Sequence, residues 1–406
     1  MHDSQRPTVF CAPGNAGTAE LATNLSISVE DVAGLVQWAR DNRPDLTVVG
    51  PEVPLCAGLS DALEAEGLSV FGPSRAASQI EGSKVFAKEV MTAAGVPTAN
   101  ASTFTDVQKA MAFLHSVGAP IVIKAEGLAA GKGVAVCKTI DEAERAIRES
   151  LVDQVFGEAG RRILIEEYME GEEASILALV DGANIVMLAS AQDHKRVFDG
   201  DTGPNTGGMG AYSPAPVVTD KWWPVIEQQV FTPTLAELRK RGISYKGVLY
   251  AGLMMTRKGP KVLEFNCRFG DPETQAILPR LATDLLPALT ACVEGRLHSG
   301  LVQWKREACV CVVMAAGGYP GAYQKGKAVT GLDEAGKLAD TVVFHAGTKT
   351  RDGRVVTAGG RVLGVTALGA RLSDAVANAY RAVAKISFEG AIYRKDIAAR
   401  ALKRGT

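Results

Sequence analysis

Residues 121–137 read I-V-I-K-A-E-G-L-A-A-G-K-G-V-A-V-C, and this stretch limits the possible fold more than any other. Two short β-branched runs, 121–123 and 134–136, flank a loop that carries Gly127, Gly131 and Gly133 together with Lys124 and Lys132. The pattern predicts a hairpin with a cationic, glycine-rich lid. Glycines let backbone N–H groups approach an anion closely, and a lysine at each side supplies point charge, so polyphosphate is the natural ligand. A Walker A loop would need Ser or Thr after the lysine and then a helix, whereas Lys132 is followed by Gly133 and a strand. A dinucleotide fingerprint also opens a helix, which this loop does not. The plainer alternative is a surface hairpin with solvated lysines.

A chain of 406 residues exceeds one ordinary domain, so two to four packed units with a large core are expected. The 44 basic residues balance 45 acidic ones, which gives no electrostatic case for nucleic acid or an anionic membrane as partner. Any anion site must be local. Seven scattered cysteines, never spaced C-x-x-C, read as buried thiols of a reduced protein. No run approaches the roughly 18 apolar residues of a membrane span, and the first eight residues lack a signal-peptide core, so a cytoplasmic location is expected.

From residue 8 to 74 the pattern is strand, turn, helix, repeated: strands at 8–11, 46–49 and 68–71, helices around Val32 to Ala39 by its apolar spacing and at 55–66. Such alternation implies one parallel sheet. The strands end in Pro13-Gly14, Gly50-Pro51 and Gly72-Pro73, at the carboxyl edge where open α/β sheets bind ligands, which makes Asn15, Gly17, Thr18 and Glu52 candidate contacts. They are equally explained as turn residues.

A helix at 81–94 has Ser83 near its cap and Lys84 directly after it; helices at 106–117 and 141–156 flank the hairpin. A strand at 163–165 runs into Glu166 to Glu173, which holds five acidic residues in eight and reads as a partly buried edge. Strands at 175–180 and 185–190 pair across Asp181-Gly182 and deliver Asp193, His194, Lys195 and Arg196 into residues 197–214. Those 18 residues, with five glycines, are expected to form a binding loop. A further hairpin, 246–256 with 261–267, leads into L-E-F-N-C-R-F-G-D-P-E. There Glu264, Asn266 and Arg268 alternate on one face while Leu263, Phe265 and Cys267 face the core. A carboxylate and an amide oxygen two residues apart can bind one hard cation, and an adjacent arginine can clamp an anion. Residues 306–406 read as strands plus a helix at 374–386, with no chemistry beyond a structural role.

Taken together, A-P-G-N-A-G-T (12–18), G-P-E-V-P-L (50–55), G-S-K (82–84), the hairpin, E-E-Y-M-E-G-E-E-A-S (166–175), N-T-G-G-M-G-A-Y (205–212) and E-F-N-C-R-F-G-D-P-E (264–273) resemble the phosphoribosylamine–glycine ligase family. The hairpin alone would indicate only the ATP-grasp superfamily. The resemblance implies an α/β ATP-grasp fold: a parallel-sheet (pre-ATP-grasp) domain at 1–80, the ATP-grasp domain at 81–305 with a lid at about 103–170, and a C-terminal mixed α+β domain at 306–406. It implies that ATP, glycine and 5-phosphoribosylamine give ADP, phosphate and glycinamide ribonucleotide through a glycyl phosphate, in purine synthesis. The enzyme would act as a monomer with magnesium or manganese, without nucleic acid or membrane partners.

By the same resemblance, Lys84, Lys124, Gly131, Lys132 and Gly133 would hold phosphates. Glu167, Tyr168 and Met169 would line the adenine, Glu173 or Glu172 the ribose, and Glu166 would also belong to the ATP site. Glu264 and Asn266 match the metal ligands. Arg268, Asp193 and Lys124 would be catalytic. Asn15, Gly17, Thr18, Glu52, Asn205, Thr206, Gly207, Gly208, Met209, Gly210, Arg268, Asp271 and Glu273 would arrange glycine and phosphoribosylamine. Many ATP-grasp enzymes carry a second metal carboxylate on the preceding strand; residues 247–255 contain none. Family members also place a strand, a phosphate-binding glycine turn and a helix ahead of A-P-G-N-A-G-T. This chain reaches that motif within 12 residues, so that part of the phosphoribosylamine site is expected to be missing, or the start to be misplaced. The rival readings are another ATP-grasp carboxylate–amine ligase or biotin-type carboxylase, and an ATP-binding protein without turnover.

Overall fold

The computed structural model describes residues 7–128 and 133–404. Local sequence sets most element ends. Asp31, Ser74, Ser83, Asp106 and Asp284 each cap a helix by accepting a backbone N–H from its first turn, and Thr139 with Glu142 forms a full capping box.

The N-terminal unit is parallel, as expected, but split. Phe10–Cys11 pairs with Thr23–Asn24, and Thr47–Val48 pairs with Val70–Phe71. The Thr23–Asn24 strand escapes a periodicity reading because it is two polar residues long. The expected single helix at 55–66 is two, Glu52–Ala57 and Leu59–Ala65, broken at Gly58, where φ is 93° and only glycine is unstrained.

Two four-stranded antiparallel sheets make the middle of the chain. The lid sheet has the order Ala101–Phe104, Ile163–Glu167, Ile121–Ala125, Val134–Cys137, with the opening hairpin in register Ile121↔Cys137. Helices Val107–Val117 and Ile140–Leu151 cover one face through Ala110, Leu114, Ala143 and Ile147, so the second helix ends before the expected 156. The larger sheet has the order Ile185–Met187, Glu172–Asp181, Lys246–Thr256, Gly259–Asn266. It is buried on both faces, under helices Arg75–Gly82 and Lys84–Ala93 on one side and Leu285–Val293 on the other. A bulge shifts the register from Gly252↔Glu264 to Leu253↔Val262. The extra residue is Leu263, which is only partly buried, so Val262 takes the core position expected for Leu263, alongside Phe265 and Cys267.

The third sheet has six strands and does not respect the chain order. Ala308–Ala316 sits between Arg361–Gly369 and Gly210–Ser213, and Gly210–Ser213 pairs in turn with Gln192–Asp193. The expected loop at 197–214 is therefore largely strand: Arg196–Phe198 pairs with Thr202–Asn205, and Gly210–Ser213 is an interior strand. Its glycines suggest a loop, but a partner strand about a hundred residues later claims it. Among the described residues no helix is long and apolar enough to cross a membrane.

Candidate functional site

The cleft between the lid sheet and the larger sheet gathers the expected cations. Lys124 is the penultimate residue of the strand Ile121–Ala125 and is buried; its Nζ lies 2.8 Å from Glu166 Oε2 and donates to the Leu263 carbonyl at 2.9 Å. The other Glu166 oxygen is 3.0 Å from Lys88 Nζ, which also donates to Thr98 and Ala99. Glu166 is thus a buried carboxyl group between two amino groups; burial pulls the Lys88 pKa down, and the charge of Glu166 opposes that shift without cancelling it. Sequence reasoning missed Lys88. Its signal was spacing: it lies one helical turn from Lys84 on Lys84–Ala93.

Lys84 Nζ donates to the Gly127 carbonyl at 3.1 Å, and its backbone N–H to Glu126 O at 3.1 Å, which docks the helix start on the lid. Burial lowers its pKa, with Lys124 adding repulsion and Glu264 opposing. A desolvated lysine beside a second lysine favours an incoming anion. Gly133 O receives the Ala125 N–H at 2.8 Å and closes the hairpin base. Gly131 and Lys132 lie outside the described residues.

Glu264 projects into this cleft. Burial would raise its pKa, but the charges of Lys195, Lys124, Lys84 and Arg268 overcome that and hold the carboxyl below its ordinary value. Lys195 Nζ is 2.8 Å from Glu173 Oε2 and 3.9 Å from Glu264 Oε1, linking the expected ribose and metal carboxylates. Sequence reasoning gave Lys195 no role. Asn266 sits two residues on, opposite Tyr250. Together they offer one carboxylate and one amide oxygen, hard donors that fit a divalent cation sharing its other positions with phosphate oxygens and water. Among the described residues no cluster of three or more metal-ligating side chains adds to them.

Arg268 is gripped from two sides: Nε by Glu52 at 3.0 Å, Nη2 by Glu81 at 3.1 Å. Glu81 also accepts the Cys267 N–H at 2.7 Å. Burial pushes the Glu81 pKa up while Arg268 pulls it down. Glu52 therefore reaches the site through the arginine, and Glu81 is a second residue that the sequence did not disclose. Where adenine is expected, Glu167 pairs with Lys261 at 2.9 Å and Asn100 at 3.0 Å, Tyr168 is exposed and Met169 is buried.

The remaining expected contacts form a second group. Thr206 donates its N–H and its hydroxyl to Lys195 O at 2.7 and 2.8 Å, Gly208 N–H goes to Thr206 Oγ1 at 2.9 Å, and Met209 N–H to His194 O at 2.8 Å. Met209 is fully buried, Asn205 pairs with Arg196, and Gly210 opens the interior strand. Asp271 is bound by Gln275 and by Arg361, which lies in the third unit, residues 306–406. Glu273 is buried and accepts from Tyr250 at 2.6 Å and Ser175 at 3.2 Å, which fixes it beneath the site. Burial raises the Asp193 pKa, with Lys195 and Arg400 opposing and Glu273 and Glu173 reinforcing.

The A-P-G-N-A-G-T turn stands apart. Asn15 Nδ2 donates to His345 O at 2.7 Å, a Cβ on Gly17 would lie 2.7 Å from the His345 ring, and Thr18 bonds Asn15 and Asn24. In this arrangement Asn15 and Gly17 join the first unit to the third, and Thr18 braces the turn from within the first.

Comparison with known proteins covers nearly all of the chain. Profiles of the phosphoribosylglycinamide synthetase N domain, ATP-grasp (A) domain and C domain match residues 1–81, 82–274 and 309–400. A phosphoribosylamine–glycine ligase of Vibrio vulnificus is 50% identical over 400 residues, 98% of this chain and 93% of that protein. The crystal structure of the Thermotoga maritima phosphoribosylamine–glycine ligase superposes with a TM-score of 0.84 at 34% identity, over 96% of this chain and 94% of that one. The biotin carboxylase domain of Hydrogenobacter thermophilus 2-oxoglutarate carboxylase, solved with MgADP, shares the fold at 16% identity and a TM-score of 0.72, over 95% and 86%.

Proposed function

The chain belongs to the phosphoribosylamine–glycine ligase family, and from that premise we propose how its cleft joins glycine to 5-phosphoribosylamine at the expense of ATP. The observation that carries the reading is the convergence of Lys84, Lys124, Lys195 and Arg268 on Glu264 in one cleft. The glycine carboxylate attacks the γ-phosphorus, the bond to ADP breaks, and glycyl phosphate forms. The amine of phosphoribosylamine then attacks the glycyl carbon; the C–N bond forms, phosphate leaves and the amine gives up a proton. No covalent enzyme intermediate is needed, so the protein's tasks are positioning, charge neutralisation and exclusion of water.

Lys84 and Lys124 bear on the phosphates, with the hairpin of residues 121–137 as lid. Glu167, Tyr168 and Met169 face the adenine and Glu173 the ribose. Glu166 supports this by orienting Lys124 rather than by touching nucleotide. Glu264 and Asn266 would hold a divalent cation, magnesium or manganese, which when bound neutralises phosphate charge. Arg268, fixed by Glu52 and Glu81, is aimed to stabilise the transferring phosphoryl group and the acyl phosphate. Asp193, the 205–210 segment and Asp271 receive the amine substrates. The same reading has the protein acting as a monomer in the cytoplasm, which light scattering and cell fractionation test.

The deciding assay is release of ADP and phosphate that requires glycine and phosphoribosylamine together. Turnover supported instead by bicarbonate and biotin would move the protein to the carboxylase reading. ATP binding with no turnover under either condition would leave a nucleotide-binding protein.

A further inference from the structure

Two side chains of the third unit grip a single residue of the N-T-G-G segment, one on each of its two flanking peptide groups. Tyr319 Oη accepts the Gly207 N–H at 3.1 Å, and Arg361 Nη1 donates to the Gly207 carbonyl at 2.8 Å. The same guanidinium donates to the Asp271 carbonyl at 2.9 Å and to its carboxylate at 3.1 and 3.2 Å. One arginine on the strand Arg361–Gly369 therefore ties together two separate segments, both of which the proposed function assigns to the amine substrates. The packing leaves no slack. A Cβ on Gly207 would come within 3.0 Å of the Arg361 guanidinium carbon, and one on Gly208 within 2.4 Å of Pro272 Cδ.

The backbone of the segment has a chemical consequence. The N–H groups of Thr206, Gly207, Gly208 and Met209 are all donated within the protein, to Lys195 O, Tyr319 Oη, Thr206 Oγ1 and His194 O. Despite its glycines, the segment is not a backbone cradle for phosphate. Of its carbonyls, those of Gly207, Met209 and Gly210 already accept from Arg361, Val313 N–H and His194 N–H, so what the segment offers an amine is the carbonyls of Thr206 and Gly208 and the second lone pairs of the others.

We propose that Arg361, assisted by Tyr319, is a positioning residue that sets the 205–210 segment against Asp271 as the receptor for amine substrates, making the third unit part of the acceptor site. This rests on the function proposed above, so the first measurement is wild-type turnover with glycine and phosphoribosylamine; its absence overturns that function rather than this inference. Given turnover, Arg361→Gln is expected to raise KM for glycine, phosphoribosylamine or both by at least about tenfold while KM for ATP and the melting temperature hold. Arg361→Lys should restore part of the loss, since one ammonium replaces a fork that serves three acceptors. Asp271→Asn added to Arg361→Gln should cost much less than it does alone. If Arg361→Gln proves unfolded, Tyr319→Phe carries the test, because it deletes one hydroxyl and should still raise the amine KM by about threefold. Unchanged KM for both amines in the folded variants, or an equal rise in KM for ATP, overturns the proposal.

Discussion

Glu166 shows how single residues divide the work of this cleft. Buried between Lys88 and Lys124, it keeps one cation when the other is removed. Lys124→Ala should therefore leave a folded protein that binds ATP more than about tenfold less tightly, as titration calorimetry would register, because the lost charge is the one proposed to bear on phosphate. Lys88→Ala should do the reverse and lower stability by about 1–3 kcal/mol in urea with less effect on ATP, because no phosphate contact is proposed for it and its bonds to Glu166, Thr98 and Ala99 are lost. Equal ATP affinity for wild type and Lys124→Ala would remove that lysine from the nucleotide site. Glu264→Gln should impair turnover at limiting magnesium more than Asn266→Ala, since the carboxylate carries the charge a hard dication needs and water can replace an amide oxygen. Glu264, Asn266 and Arg268 were legible because strand alternation puts them on one face. Glu81 and Lys88 were not, since each sits on a helix whose charged positions look like ordinary solvent face until the larger sheet is laid over them.

At the scale of elements, what could be read was what is local. The hairpin around the lid, the Asp181-Gly182 hairpin and the capped helices follow from turn chemistry and periodicity within a few residues. Residues 197–214 could not be read so, because the strand Gly210–Ser213 is completed by Ala308–Ala316. The bulge at Leu263 is likewise invisible to alternation, as it depends on how the Lys246–Thr256 strand meets its partner. Gly208 tests how firmly the second group is held. With φ at +113° and Pro272 Cδ only 2.4 Å from a would-be Cβ, Gly208→Ala must strain the backbone and displace Pro272. We expect a loss of about 1–3 kcal/mol in urea denaturation together with weaker use of the amine substrates. A variant of wild-type stability and activity would mean that the segment yields freely, against its packing.

Across the whole molecule, residues 394–400 fasten the end of the chain to the centre. Arg394, 1% exposed, donates to both Asp396 oxygens at 2.7 Å, to Asp201 at 2.7 Å and to Arg196 O at 3.1 Å. Arg400 Nη2 donates to Asp193 O at 3.0 Å, and the Ala398 N–H to His194 Nε2 at 3.0 Å. An accepting Nε2 requires a neutral imidazole with its proton on Nδ1. That Nδ1 is 3.7 Å from Asp201 Oδ1, too far for a hydrogen bond, while Arg394 and Arg400 stand close by and the Tyr212 ring packs alongside. Burial lowers the His194 pKa below its ordinary 6.5, and the two arginines reinforce this against the pull of Asp201. The unfolded chain then binds more protons than the folded one between the two pKa values. The stability tied to neutral His194 is complete above about 6.5 and is lost as pH falls through the depressed folded value. Protonation would also cost the Ala398 bond and place a third cation beside Arg394 and Arg400. Between about pH 7 and pH 5 the melting temperature of the wild type should thus fall further than that of His194→Gln, whose side-chain oxygen can still accept from Ala398 without titrating. His345 and Asp193 titrate without help from His194 in both proteins, and Asp201 and Asp396, whose lowered pKa values do lean on His194, lose their charge only below this window, so the difference between the two curves isolates His194. Parallel curves would show that the end of the chain is fastened independently of this histidine.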